Sequence, residues 1–243
     1  MTAIIAHRGA AAEAPENSLG ALELGMALGA DALELDVRRS RDGALLVIHD
    51  ATLGRTTDRW GRMADLELAE VRAARQADGT PVSELDEVFA AHPGVEITVD
   101  VKDQEAAASV VATIRAHDRV SDTILYVEDG TDGEAFRGYE GRRATSTAQA
   151  LRIALAGAAP LGWSDREVPE VVHTPLAWSG VPIVTQAFVR RVQESGRTVQ
   201  VWTVDDPRTA RRLAAWGADG IITNDVRGMR DWLGARHTGR PGG

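Results

Sequence analysis

The 243-residue chain contains no cysteine. That excludes disulfides, thiolate-bound metals and cysteine nucleophiles, and fits a reducing compartment. It lacks a basic excess: 27 Lys and Arg stand against 36 Asp and Glu, for a net charge of −9. No nucleic-acid partner is therefore expected, and any basic patch should be local and matched to a phosphate group. No uninterrupted apolar run approaches the roughly 18 residues of a membrane helix, so stable membrane insertion is not expected. Met1–Ala6 has neither the basic start nor the apolar length of a signal peptide, and the expectation is a soluble, cytoplasmic protein. No G-x-G-x-x-G follows the first apolar run, which speaks against a dinucleotide fold, and no internal repeat is present.

What is present is a recurring short apolar run followed by an amphipathic stretch. Strands are predicted over Ala3–Ala6, Ala32–Val37, Leu45–Ile48, Val95–Val101, Thr123–Val127, Arg143–Ser146, Glu170–Val172, Thr198–Val204 and Gly220–Ile222. Helices are predicted over Asn17–Leu28, Glu105–Arg115, Ala148–Ala156, Gln186–Glu194 and Pro207–Trp216. Strand-then-helix repetition implies a parallel sheet. About eight units in this length suggest a (β/α)8 TIM barrel, one domain over residues 1–233, with 234–243 as a frayed tail.

One junction breaks the rhythm. Between Asp36 and His49 there is no room for a crossover helix, and Asp42-Gly43 is a tight-turn signal. A β-hairpin after the second strand follows. With Asp42-Gly43 as a two-residue turn, Asp36 falls opposite His49; a turn one residue longer moves that pairing by one or two. Residues 51–93 then read as a small insertion that walls the site.

In Leu33-Glu34-Leu35-Asp36-Val37 the two acids share one strand face and the apolar residues the other. If the apolar face packs on helices, the acids point into the barrel near its catalytic end. Two carboxylates buried together repel unless a cation or proton offsets them. Asp100 and Lys102 repeat the alternation. Glu34, Asp36 and Asp100 as metal ligands carry −3, which Lys102 and one divalent cation balance. Oxygen-only ligands favour Mg²⁺ or Ca²⁺. The alternative for Lys102 is a salt bridge closing the barrel interior.

His7 ends the first strand, Arg8 offers a planar fork for phosphate oxygens, and Gly9 allows close backbone approach. His7 and His49 are the candidate acid–base pair. Glu16, before the first helix, could bond a catalytic group, while Asn17 or Ser18 caps the helix. Trp202 could wall a substrate pocket or pack as core. His92, His117, His173 and His237 lack comparable company and read as structural or surface residues.

His7-Arg8-Gly9, Pro15-Glu16-Asn17, Glu34-Leu35-Asp36-Val37 and Val47-Ile48-His49-Asp50 together resemble the glycerophosphodiester phosphodiesterase family, one of the phospholipase-C-like phosphodiesterase barrels. The resemblance continues through Pro81–Val88, Trp202-Thr203-Val204-Asp205 and Gly217–Thr223, nearly the whole chain. It implies a catalytic pair in His7 and His49, metal ligands in Glu34, Asp36 and Asp100, and phosphate contacts from Arg8 and Lys102. Trp202 would lie near the glycerol end. The chain departs from the family in placing Asp100 where glutamate is usual, Tyr126-Val127-Glu128 where Ser-Phe is frequent, and Asn224 in a Thr-Asp-x-Pro segment.

The implied activity is metal-dependent hydrolysis of a glycerophosphodiester to glycerol 3-phosphate and an alcohol. The glycerol hydroxyl would attack first and water would open the cyclic product. Two other functions compete: a sphingomyelinase-D-like or lysophospholipid phosphodiesterase on the same barrel, and a noncatalytic phosphoryl-ligand-binding barrel. The residues leave the headgroup, the cation and the oligomeric state open.

Overall fold

The computed structural model describes residues 1–127, 136, 138–155 and 169–234. The strands in chain order are β1 (Ala3–His7), β2 (Ala32–Arg39), β3 (Leu45–Val47), β4 (Ile97–Val101), β5 (Thr123–Tyr126), β6 (Arg142–Arg143), β7 (Val171–Pro175), β8 (Ala177–Trp178), β9 (Val181–Pro182), β10 (Thr198–Trp202) and β11 (Gly220–Thr223). The helices are α1 (Leu19–Ala27), α2 (Leu68–Arg72), α3 (Leu85–Ala91), α4 (Ala107–Ala116), α5 (Thr147–Leu155), α6 (Gln186–Glu194), α7 (Pro207–Trp216) and α8 (Val226–Gly234). Eight parallel strands run in the order β6-β5-β4-β2-β1-β11-β10-β7. A parallel bridge between Ala144 and Val171 joins the two ends of that order. The expected TIM barrel is therefore present.

Alternation along the strands divides the core. Leu33, Leu35, Val37, Val99, Val101, Val199 and Val201 pack with Leu22, Ile114, Phe188 and Leu213 of the surrounding helices. Ile5, Ala32 and Ile222 with Trp202, and Ile124, Tyr126, Ala144 and Val171, form separate small clusters inside the ring. Glu34, Asp36 and Asp100 occupy the same strand parity as these interior residues, so burying the valines and leucines against helices turns the acids inward. Burial of a Leu or Ile side chain contributes about 1.5–3 kcal/mol, so the register that fixes the acids is held by the whole outer core.

Helix starts follow local chemistry. The Ser18 hydroxyl, rather than Asn17, caps α1 by accepting from the Ala21 N–H, and Thr185 caps α6 in the same way. Asp206 caps α7, with Pro207 in the first turn.

The hairpin register differs from the two-residue expectation. Val37 pairs with Val47 and Arg39 with Leu45, and Ser40 donates to the Ala44 carbonyl across a three-residue turn. Asp36 therefore lies opposite Ile48, whose N–H donates to the Asp36 carbonyl, and His49 follows one residue later. The cause is that Arg41 donates its N–H to Leu66 and cannot pair with Ala44, while Gly43 takes φ +95.

The 51–93 insertion is also shorter than expected. Leu85, Val88 and Phe89 of α3 belong to the main core, so α3 is a barrel helix. Leu53, Met63, Val71, Ala74 and Val82 form a small core of their own with Leu46 and Ile48 of the hairpin. The strand expected over Arg143–Ser146 shortens because Ala144 and Thr145 turn to pair with β7. Of the expected tail, 235–243 lie outside the described residues, as do Glu128 and His237.

Candidate active site

At the C-terminal ends of the strands lies a cavity of about 100 Å³, lined by His7, Arg8, Glu34, Asp36, His49, Asp100, Lys102 and Trp202. Eight of the nine residues expected at the site meet there. The ninth, Glu16, is not part of the lining; it accepts from Arg8 at 2.8 Å and so touches the site through the guanidinium.

The three acids are each buried, and one oxygen from each lies within 4.8 Å of the others. Lys102 Nζ stands 2.5 Å from Asp100 Oδ2 and 3.1 Å from Asp36 Oδ1, and Arg8 Nε lies 3.1 Å from Asp36 Oδ2. These charges decide which acid ionises. Burial raises the Asp36 pKa, but Lys102 and Arg8 outweigh it and hold the group below the ordinary value. Burial and the Asp36 charge push Glu34 up to about 8, and burial lifts Asp100 well above the carboxylate range despite Lys102. Without a further cation the cluster thus holds protons it would give up to one. Asp100 Oδ1 is buried with no hydrogen-bond partner among the described residues. That orphaned oxygen, the proton-holding Glu34 and an all-oxygen donor set fit a hard divalent cation.

Local backbone aims these groups. Arg8 and Gly9 take φ +53 and +81, a left-handed turn that lets the Arg8 N–H donate to Glu34 Oε2 at 3.1 Å. A Cβ on Gly9 would lie 2.4 Å from the Ala21 carbonyl carbon, so only glycine lets α1 pack against this turn. Asn17, at φ +60, donates Nδ2 to Asp36 Oδ2 and accepts the Asp36 N–H at Oδ1.

The two histidines are held differently. His7 Nδ1 lies 2.7 Å from Asn224 Oδ1, and Asn224 Nδ2 donates to Asp205 Oδ2 at 2.8 Å. With its nitrogen engaged by Asp205, Asn224 presents an acceptor, so His7 Nδ1 carries a proton and Nε2 is free for chemistry. His7 Nε2 is 3.8 Å from Glu34 Oε2. Burial, followed by the Arg8 charge, lowers the His7 pKa. His49 Nδ1 lies 2.7 Å from Asp50 Oδ1, so a carboxylate stands behind this ring. Arg55, from the insertion, bonds Glu16 through both terminal nitrogens at 2.7 Å and Asp50 at 2.6 and 3.0 Å. One chain of charges therefore runs from Arg8 through Glu16, Arg55 and Asp50 to His49.

Sequence reasoning missed several members. His173, expected to be structural, lines the cavity with Tyr126, Thr203 and Ile222. Its signal was available: it stands two residues after Val171 on an alternating strand, the same parity that turns Asp100 inward. Asn224, Asp205 and Arg55 carried no such signal, because their roles arise from contacts between distant segments.

A family model described as the glycerophosphoryl diester phosphodiesterase family matches residues 7–227. The "probable glycerophosphodiester phosphodiesterase 2" of Mycobacterium tuberculosis is 32% identical over 241 residues, spanning 96% of this chain and 90% of that protein. The glycerophosphodiester phosphodiesterase of Caldanaerobacter subterraneus is 30% identical over 237 residues, spanning 92% and 94%. A solved glycerophosphodiester phosphodiesterase from Agrobacterium tumefaciens matches with a TM-score of 0.76 at 28% identity, covering 93% of this chain and 99% of that one. A phosphodiesterase from Oleispira antarctica, solved with the product sn-glycerol-3-phosphate, shares the fold with a TM-score of 0.80 at 21% identity, covering 96% and 97%.

Proposed function

The chain belongs to the glycerophosphoryl diester phosphodiesterase family and is a glycerophosphodiester phosphodiesterase, and from that premise we propose how its residues divide the work. The reaction is hydrolysis of a small-molecule glycerophosphodiester to glycerol 3-phosphate and an alcohol. The observation that carries the reading is two imidazoles lining one cavity with three buried carboxylates, one ring backed by an amide and the other by a carboxylate.

His7, kept neutral by burial and by Arg8, takes the proton of the attacking hydroxyl at Nε2. His49, with Asp50 behind it, delivers a proton to the leaving alcohol oxygen; water then opens the resulting cyclic phosphate of glycerol, giving its proton to His49 while His7 returns its own to the departing glycerol oxygen. Arg8 and Lys102 offset charge on the phosphoryl oxygens. Glu34, Asp36 and Asp100 would hold one divalent cation, Mg²⁺ or Ca²⁺. Such an ion, when bound, supplies Lewis acidity at the phosphoryl group. Glu16 and Arg55 keep Arg8 and His49 in place, and Trp202 walls the organic end of the substrate.

The test is release of glycerol 3-phosphate from glycerophosphocholine, glycerophosphoethanolamine and glycerophosphoglycerol with Mg²⁺, Ca²⁺ or EDTA. Turnover with a divalent cation and its loss in EDTA are expected. No release under any cation overturns the substrate; full turnover after exhaustive chelation overturns the cation.

A further inference from the structure

The ring of strands is chemically divided. β1, β2 and β4 supply His7, Glu34, Asp36 and Asp100, all charged or proton-exchanging groups. β5, β7 and β10 supply Tyr126, His173 and Trp202, a wall without carboxylate or guanidinium. His173 is 3% exposed, and its ring lies against Tyr126 (centroids 4.5 Å apart) and edge-on to Trp202 (5.8 Å). Its Nδ1 and the Trp202 Nε1 are both buried without a hydrogen-bond partner among the described residues. Buried polar atoms left unpaired beside a cavity are expected to be satisfied by what enters it.

Resting on the proposed glycerophosphodiester reading, we propose that His173 is a specificity-determining residue that hydrogen-bonds a hydroxyl of the substrate's glycerol moiety, against the Tyr126–Trp202 wall. The argument is complementarity. A neutral imidazole offers one donor and one acceptor, and the indole offers a donor. A hydroxyl both donates and accepts, so it can pair with either nitrogen in whichever role that nitrogen presents. A trimethylammonium headgroup has no lone pair and satisfies neither. A phosphate is drawn to Arg8 and Lys102 on the opposite half. Burial first, and the nearby Lys102 charge with it, depress the His173 pKa to about 3, so the ring presents no charge to an uncharged group.

The test compares competitive inhibition by sn-glycerol 3-phosphate and n-propyl phosphate, which share the phosphate and three carbons but differ in two hydroxyls. The wild-type protein, H173F and H173Q are assayed with glycerophosphocholine. Phenylalanine keeps the aromatic packing; glutamine restores a donor and an acceptor. In H173F the preference for glycerol 3-phosphate over propyl phosphate should shrink by about fivefold or more, through weaker glycerol 3-phosphate binding alone. KM should rise more than kcat falls, and H173Q should recover part of the preference. An unchanged preference in active H173F, equal weakening of both inhibitors, or an effect confined to choline over ethanolamine substrates overturns the inference. Wild-type protein without turnover would instead overturn the substrate reading, leaving the inhibitor comparison to be read by direct binding.

Discussion

Asn17 and Asp36 form a two-way amide–carboxylate pair: Asn17 donates to the Asp36 side chain at 2.8 Å and accepts the Asp36 backbone N–H at 3.2 Å. Asn17, in the loop after β1, thus holds the most ionised acid of the cluster, which stands on the neighbouring strand β2. Replacing Asn17 by alanine strands a buried N–H and a carboxylate, for a loss of about 1–3 kcal/mol. The φ of +60 adds roughly 1 kcal/mol for an alanine but little for a glycine. Urea unfolding should therefore rank wild type above N17G, and N17G above N17A. Cation affinity should fall in both variants. N17A with wild-type stability and affinity would remove Asn17 from this role.

Alanine at His7 or at His49 should lower kcat by about 10²- to 10⁴-fold while leaving the circular dichroism of the fold unchanged. Near-normal turnover in either variant refutes the assignment.

The Asn224 amide behind His7 makes a sharper prediction. An N224D variant places a carboxylate against the ring, which favours its charged form and raises its pKa. His7 must be neutral to accept a proton, so the acidic limb of kcat/KM should move to higher pH and activity below the limb should drop. An unmoved limb, measured from pH 5 to 9, would show that His7 does not set it.

Chelation and pH are linked through Glu34. Its pKa is raised to about 8 in the folded protein, so between the ordinary carboxylate value and pH 8 the folded state holds a proton that the unfolded chain has released. The sign follows: metal-free stability declines as pH rises through that window and levels off above it. A divalent cation held by the acids would displace the proton, so its apparent affinity should improve by up to about tenfold per pH unit for each proton released. Thermal shifts with and without Mg²⁺ should widen from pH 6 to 8. A constant shift would contradict proton displacement.

Arg55 is about half exposed, and its pairs with Glu16 and Asp50 should contribute under about 1 kcal/mol to global stability. The role expected of it is geometric, since it joins the partners of Arg8 and of His49. R55A should lose about tenfold in kcat/KM with a nearly unchanged melting temperature. R55K, which keeps the charge but not the fork, should fall between them. Full activity in R55A would mean that Arg8 and His49 hold their positions unaided.

Much of the fold and of the site is legible in the sequence. Alternation in Leu33–Val37 and Ile97–Val101 placed Glu34, Asp36 and Asp100 inside the ring, because burying leucine and valine outside leaves no other face for the acids. The absence of crossover length between Asp36 and His49 required a hairpin. The hairpin register was less legible: Ser40, Arg41 and Asp42 bond Ala44, Leu66 and Leu68, and contacts with the distant insertion selected a three-residue turn. Residues 85–91 read as insertion because an amphipathic pattern does not say which core its apolar face will meet.

Sequence alone determined the barrel, the inward acids and the two histidines, since strand period and chain length act locally. Only the tertiary structure decided how each imidazole is held, by Asn224 217 residues from His7 and by an Asp50 that Arg55 ties to Glu16. It also turned His173 from a structural residue into part of the cavity wall. Local periodicity sets the direction in which a side chain points. What it meets there depends on ring closure, which brings segments far apart in the chain to one end of the barrel.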